Sequence, residues 1–417
     1  MSSSASVESD SSNESYDQTR YTIVYGNQYK HRSQILISWE NLNFVVKTKE
    51  GEEAILKNLS GFANPGEILA IMGSSGAGKT SLLNVLAGRT TSSSHQSITG
   101  NIYANGVTSD KLPLRDFSAY VTQQDILLPV LTPQEAITFS AKLRCKESDV
   151  SERVQKLITD LKLKNITHNR IGSIEQKGIS GGERKRVCIA VELVSDPCVL
   201  FLDEPTSGLD AYTAEVLFKL LAKQAKKGRT IITTIHQPSK NMFSMFNRLI
   251  VMAEGEIVYQ GYAENSLEHF SSLGYSCPLE INPADHFIKA LYVKNRHKLT
   301  AQEMEKLNCF RENYKQDIPA VTLSKEDLPA KKDAKENSFL FQTNELFRRA
   351  FKNAMRNPGL SKIKLMQSLG LSILIDMVFN EPSSDLEGVQ TTSGLLFFVV
   401  TSQVLFGYEH AVLSCNF

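Results

Sequence analysis

Eight consecutive residues, Gly73-Ser74-Ser75-Gly76-Ala77-Gly78-Lys79-Thr80, constrain this chain more than any other feature. They fit the pattern G-x-x-x-x-G-K-[ST], in which glycines let the backbone fold into a nest of N–H groups facing phosphate oxygens. The apolar run Ile68–Met72 just before it reads as a strand buried on both faces of a parallel sheet. Lys79–Ala87 just after it reads as a helix stopped by Gly88, so the positive end of the helix dipole adds to the anion site. Strand, loop and helix in this order are the context that phosphate binding needs. Residues Gly73 to Ser81 then cradle a nucleotide, with Lys79 placed to bridge the β- and γ-phosphates and Thr80 to ligate Mg²⁺.

A second constellation narrows the chemistry. Leu200-Phe201-Leu202-Asp203-Glu204 is an apolar strand ending in two carboxylates. Asp203 suits the Mg²⁺ shell, and Glu204 beside it suits the orientation and polarisation of an attacking water. Sheet character at Cys198–Leu202 and Thr230–Ile235 flanks an amphipathic helix over Ala211–Lys227, and this alternation argues for an α/β core with parallel strands. Ser38–Lys47 and Glu53–Leu59 read as two strands of an edge sheet joined at Glu50-Gly51, while Thr132–Arg144 and Ser151–Leu163 read as a helical insert.

Four further motifs follow in a fixed order. Ile179-Ser180-Gly181-Gly182-Glu183-Arg184-Lys185-Arg186 resembles the signature motif of ATP-binding cassette (ABC) ATPases, and Gln123 in Tyr120-Val121-Thr122-Gln123 resembles their Q-loop glutamine. Ser207-Gly208-Leu209-Asp210 is similar to the D-loop, and His236 at a strand end to the switch histidine. The resemblance covers about Ile35 to Val293. Glu183 followed by Arg-Lys-Arg, and Asn282-Pro283-Ala284-Asp285 after the cassette, resemble the G subfamily of half-transporters, the White type. That family implies an α/β P-loop NTPase: an ABC-type nucleotide-binding domain with a RecA-like core, an antiparallel β subdomain and a helical subdomain, followed here by a partial α-helical transmembrane domain. It also implies an ATPase with ATP and Mg²⁺ as cofactors, Glu204, His236 and Gln123 as catalytic residues, and Thr80, Gln123 and Asp203 around the metal. Ser180 and Gly182, at a helix amino end, would cap the γ-phosphate held by a second half-transporter chain, in a homo- or heterodimer facing head to tail, and Gly181 and Asp210 are further nucleotide-binding residues that the resemblance implies. For the adenine ring, Phe44 is the nearest aromatic.

The remaining segments set the organisation. Residues 1–33 form a Ser-rich, acidic tail without the basic start or apolar run of a secretory signal, 34–293 the nucleotide-binding domain, 294–338 a charged linker and 339–417 a partial membrane domain. Lys plus Arg (46) and Asp plus Glu (45) nearly balance, which gives no case for nucleic acid as a partner. The six cysteines have no metal-ligand spacing and read as thiols of a cytosolic protein. Gln342–Arg356 puts Leu346, Phe347, Ala350, Phe351 and Met355 on one helical face and Arg348, Arg349, Lys352 and Arg356 on the other, as in a helix lying along a membrane surface or in a docking helix. Membrane helices are expected at about 361–379 and 391–413. Basic residues before the first and an acidic loop holding Glu381, Asp385 and Glu387 point to a multi-pass membrane protein with a cytosolic cassette. The family's membrane domain has six helices per half, so the chain is expected to be an incomplete copy of it. The leading reading moves a lipid, sterol or other hydrophobic small molecule across a membrane, with membrane lipid as the surroundings. A short protein that dimerises with and regulates full-length half-transporters, or a soluble ABC ATPase, are the alternatives.

Overall fold

The computed structural model describes residues 34–49, 51–111, 113–145, 150–173, 177–292, 300–312, 337–356, 358–378 and 386–415. The expected tail at 1–33 lies outside them, as does most of the expected linker.

Two sheets organise the cassette. β1 (Ile37–Thr48), β2 (Gly51–Ala63), β4 (Gln96–Ala104) and β5 (Val107–Thr108) form an antiparallel sheet in the order β2-β1-β4-β5. β3 (Ile68–Gly73), β6 (Ser118–Val121), β7 (Val199–Leu202), β8 (Thr230–Thr234), β9 (Arg248–Ala253) and β10 (Glu256–Tyr262) form the second, in the order β10-β9-β3-β8-β7-β6. All its pairings are parallel except β9 with β10, which the turn at Glu254-Gly255 joins as a hairpin with both turn residues at positive φ. The unbroken apolar runs have a direct physical reason. Ile68, Ala70, Met72, Leu200 and Leu202 face one core, and Leu69, Ile71, Val199 and Phe201 face the other, so each strand is buried on both sides.

Helices α1 (Lys79–Leu86), α2 (Pro133–Arg144), α3 (Val150–Asp160), α4 (Gly181–Leu193), α5 (Ala211–Ala225), α6 (Lys240–Phe243), α7 (Ser266–Ser272) and α8 (Pro283–Ala290) complete the cassette. α2 starts sharply because Thr132 and Glu135 form a capping box and Pro133 occupies the first turn.

Part of the expected charged linker is a structural element instead. α9 (Ala301–Glu312) seats Leu307 and Phe310, both at most 1% exposed, with the Phe310 ring 5.3 Å from that of Phe270 and 5.0 Å from that of Tyr275. Two apolar anchors three residues apart suffice, since each contributes about 1.5–3 kcal/mol when buried.

α10 (Phe339–Arg356) turns its charged side toward the cassette. Lys352 and Arg356 both pair with Glu135 of α2, at 2.9 and 2.6 Å, Arg356 also donates to the Val130 carbonyl, and Arg349 lies over the Phe139 ring. Glu345, buried, joins Lys142 of α2 at 2.9 Å. Phe339, Leu340, Phe347, Phe351 and Met355 stand exposed on the opposite side. Lys352 and Arg356 are therefore bound to a protein carboxylate rather than offered to an anionic surface. Burial works to raise the Glu135 pKa, but Arg356, Lys352 and the Thr132 N–H outweigh it and hold the carboxyl down at about 2. Because the folded value lies below the ordinary 4.5, this pairing contributes fully above about pH 4.5 and is lost as pH falls through about 2. Glu135→Gln is expected to lower the melting temperature at pH 7, with the gap to the wild-type chain closing as the pH is taken from 4.5 to 3. A gap independent of pH would contradict the pairing.

α11 (Pro358–Val378) and α12 (Leu386–Cys415) occupy the regions expected to hold membrane helices. Among the described residues no helix is long and apolar enough to cross a membrane. Lys362, Lys364, Gln367 and Asp376 in α11, and Glu387, Gln390, Thr392 and Glu409 in α12, dilute the apolar runs. Leu365, Met366, Ile373 and Met377 of α11 and Val389, Phe397, Val400 and Val404 of α12 are all exposed.

Candidate functional site

The parallel strands β3, β8, β7 and β6 lie side by side, and four groups of residues follow their carboxyl ends: the Gly73 loop after β3, His236 after β8, Asp203-Glu204 after β7 and Gln123 after β6. Ligands of open parallel sheets bind at this edge, because the connecting loops and helix amino ends converge there.

The loop turns on Gly73, whose φ is 155° and where an added Cβ would sit 2.4 Å from the Met252 carbonyl oxygen. Lys79 folds back so that its Nζ donates to the carbonyls of Gly73 and Ser74, each at 2.9 Å. Gly78 caps α1, while Ser75 and Gly76 are exposed at the rim.

Asp203 is the hub. Its Oδ1 accepts from the Thr80 hydroxyl at 3.0 Å and from the Thr234 hydroxyl at 2.7 Å, and its Oδ2 from the Tyr120 phenol at 3.4 Å. Burial first, and the Asp203 carboxylate next, push the Tyr120 pKa up, so the phenol stays protonated as a donor. The Thr234 hydroxyl also accepts the backbone N–H of Glu204 at 2.8 Å, tying both acids to β8. Glu204 has φ 43°, a left-handed conformation costing roughly 1–3 kcal/mol for a non-glycine residue, and this bond helps hold it. Gln123 donates its side-chain amide to Glu204 Oε2 at 3.0 Å. Sequence reasoning missed Thr234 and Tyr120. A hydroxyl pair inside the apolar run Thr230–Thr234 was the available signal, since β8 is wholly buried and its polar side chains need partners.

The Thr80 hydroxyl and the Asp203 carboxylate are oxygen donors within one hydrogen bond of each other. That set fits Mg²⁺, which is held by one or two protein oxygens with phosphates and water completing the octahedron. Among the described residues no group of three or more His, Cys, Asp or Glu could hold a metal by itself.

A second cluster gathers Ser180, Gly181, Gly182 and Asp210. Ser180 caps α4, accepting the Glu183 N–H at 3.3 Å while Glu183 Oε2 accepts the Ser180 N–H at 2.9 Å. A capping box takes Glu or Gln at that position, which accounts for Glu183. Asp210 caps α5 by accepting the Thr213 N–H at 2.9 Å, and this bonding to Thr213 holds its pKa below the usual carboxylate value. A Cβ on Gly182 would meet the Thr213 methyl at 2.0 Å, so α4 packs against the start of α5 only with glycine there. Ser180 and Gly181 are exposed, facing outward from this chain. His236 is likewise exposed, just beyond β8. Phe44 is only 8% exposed and packs in the core of the antiparallel sheet, so it is no platform for a base.

Residues 56–207, which carry the phosphate loop, Gln123, Ser180 to Gly182 and the acid pair, match the family described as ABC transporter. This chain belongs to the ABC transporter family. Residues 236–364 of the ABC chain match a family described as ABC-2 type transporter, which marks it as a membrane protein. It is 34% identical over 407 residues to the broad substrate specificity ATP-binding cassette transporter ABCG2 of Mus musculus, covering 88% of this chain and 61% of the relative. It is 35% identical to Protein white of Drosophila melanogaster over 84% of this chain and 52% of the relative. It is 36% identical to ABC transporter G family member 1 of Petunia hybrida over 88% and 60%. The chain thus spans about half to three-fifths of the length of the curated relatives it matches.

Proposed function

We propose that this chain is an ATP-hydrolysing subunit of a G-type half-transporter, multi-pass in the membrane with its cassette in the cytosol. It pairs with a second half-transporter chain to move a lipid, sterol or other hydrophobic small molecule. The observation that carries the reading is the convergence on the acid pair: Thr80 bonds Asp203, and Gln123 bonds Glu204. The similarity to the ATP-binding cassette transporter ABCG2 and to a G family ABC transporter supports the same function.

In this mechanism the Gly73–Ser81 backbone and the Lys79 ammonium bind the phosphates of ATP. Thr80, Asp203 and Gln123 would hold Mg²⁺, which would supply neutralisation of phosphate charge. Glu204 takes a proton from water as the water oxygen bonds to the γ-phosphorus. The bridging P–O bond breaks and ADP departs with its electron pair. Gln123 orients the Glu204 carboxylate, and His236 stabilises the γ-phosphate. Ser180, Gly181, Gly182 and Asp210 close over the nucleotide of the partner chain, which explains why a helix amino end is left facing outward. Two ATPs are then enclosed between two chains, and hydrolysis separates them through charge repulsion.

The exposed apolar residues of α10, α11 and α12 support the membrane placement, because apolar surface of this extent is covered by lipid or protein in a stable assembly. Alkaline carbonate washing of cell membranes tests it. The full chain is expected to stay in the pellet, and its release to the supernatant would overturn the multi-pass reading.

A further inference from the structure

One buried charge takes no part in the chemistry above. Lys185 lies on the second turn of α4, five residues beyond the Ser180 cap, and its side chain is 2% exposed. An ammonium so deeply buried needs acceptors on every proton. Its Nζ pairs with Asp125 Oδ1 at 2.6 Å and donates to the backbone carbonyls of Gln123 at 2.8 Å and Thr122 at 3.4 Å. Cys188, three residues further along α4, directs its thiol at the same Asp125 oxygen. All these acceptors belong to the segment just after β6 that carries the Gln123 side chain to Glu204.

We infer that Lys185 is a positioning residue that fastens the Gln123 loop to α4, so that Gln123 keeps its register on Glu204 and follows any movement of the Ser180 end of the helix. The inference rests on the proposed ATPase function and adds a link to it. Ser180 and Lys185 share one short rigid helix, about 7.5 Å apart along its axis at 1.5 Å per residue. Ser180 serves the nucleotide bound by the partner, and Lys185 grips the loop that serves the nucleotide bound by this chain. Closure of the dimer on one ATP therefore pulls on the glutamine that aligns the base at the other. Lysine suits this task because three donors on a compact head can hold two carbonyls and a carboxylate together.

The test is phosphate release by the full chain in lipid nanodiscs, as a function of Mg²⁺ and ATP, for wild type, Lys185→Met, Lys185→Arg and the double variant Asp125→Asn with Lys185→Met. Lys185→Met is expected to lower kcat and to raise the half-saturating Mg²⁺ concentration, each by about 10-fold, the scale on which removing an orienting partner acts. Binding of a fluorescent ATP analogue without Mg²⁺ should stay within about 2-fold, because the phosphate loop is untouched. Lys185→Arg should restore at least half of kcat. The double variant removes both charges of the pair. It should regain thermal stability but not kcat or Mg²⁺ dependence, since the Thr122 and Gln123 carbonyls remain unfastened. Wild-type kcat and Mg²⁺ dependence in Lys185→Met would overturn the inference, as would recovery of both in the double variant. Where Lys185→Met alone does not fold, the double variant carries the same comparison. A wild-type chain that binds ATP without hydrolysing it would overturn the ATPase reading and this link with it.

Discussion

Glu204→Gln is expected to lower steady-state ATP turnover by roughly 10²–10⁴-fold, the range in which a positioned general base contributes. The substitution keeps the size of the side chain and its place beside Gln123, and it leaves Asp203 with its bonds to Thr80 and Thr234. What disappears is the ability to take a proton from the attacking water. A carboxylate next to the γ-phosphate also repels it, so the amide should hold ATP more firmly than the wild type does. The variant is therefore expected to retain ATP through gel filtration and to accumulate as a dimer enclosing it. Turnover within about 3-fold of wild type would contradict the role given to Glu204, whatever the state of binding.

Lys79→Met acts one step earlier. The ammonium is 5% exposed and already solvated by the Gly73 and Ser74 carbonyls, so it is held ready where phosphate oxygens must arrive. Methionine fills the space of the lysine stem and removes only the charged donors. A hydrogen bond to a charged group is worth about 1.5–3 kcal/mol, which predicts a loss of ATP affinity of about 10- to 100-fold. Titration with a fluorescent ATP analogue checks this directly. The two variants separate binding from chemistry, because Glu204→Gln should bind without turning over and Lys79→Met should fail at binding. Equal affinity in Lys79→Met and wild type would remove the loop from the site.

The parts of this architecture legible in the sequence are those where one local rule decides. The run at Ile68–Met72 can only be a strand covered on both sides, and it became β3 between two cores. The Gly73 loop carries its conformation in its glycines. The strands β4, β5, β6, β9 and β10 were not read. β4 is polar and half-exposed along much of its length, whereas β9 carries an apolar run, Leu249–Ala253, legible by the same rule as β3 and closed by the turn at Glu254-Gly255. α9 was hidden because two anchors, Leu307 and Phe310, sit in an otherwise charged segment and gain their value only from rings supplied by Phe270 and Tyr275. The direction of α10 was hidden for a similar reason. Its two faces are plain in the sequence, but which one meets protein depends on Glu135, some 220 residues away. At the site, Asp203 and Glu204 were visible as a strand end, whereas Thr234 was not. Its importance comes from parallel pairing of β7 with β8, which brings its hydroxyl under both acids.

The proposed coupling of the phosphate loop and acid pair to ATP hydrolysis can be measured directly. Phosphate release by the purified full chain in lipid nanodiscs, with ATP and with or without Mg²⁺, tests that most directly. Steady release that requires Mg²⁺ and is absent from the Glu204→Gln protein prepared in parallel is expected. Release no greater than that of Glu204→Gln, from a wild-type chain that binds ATP, would contradict it.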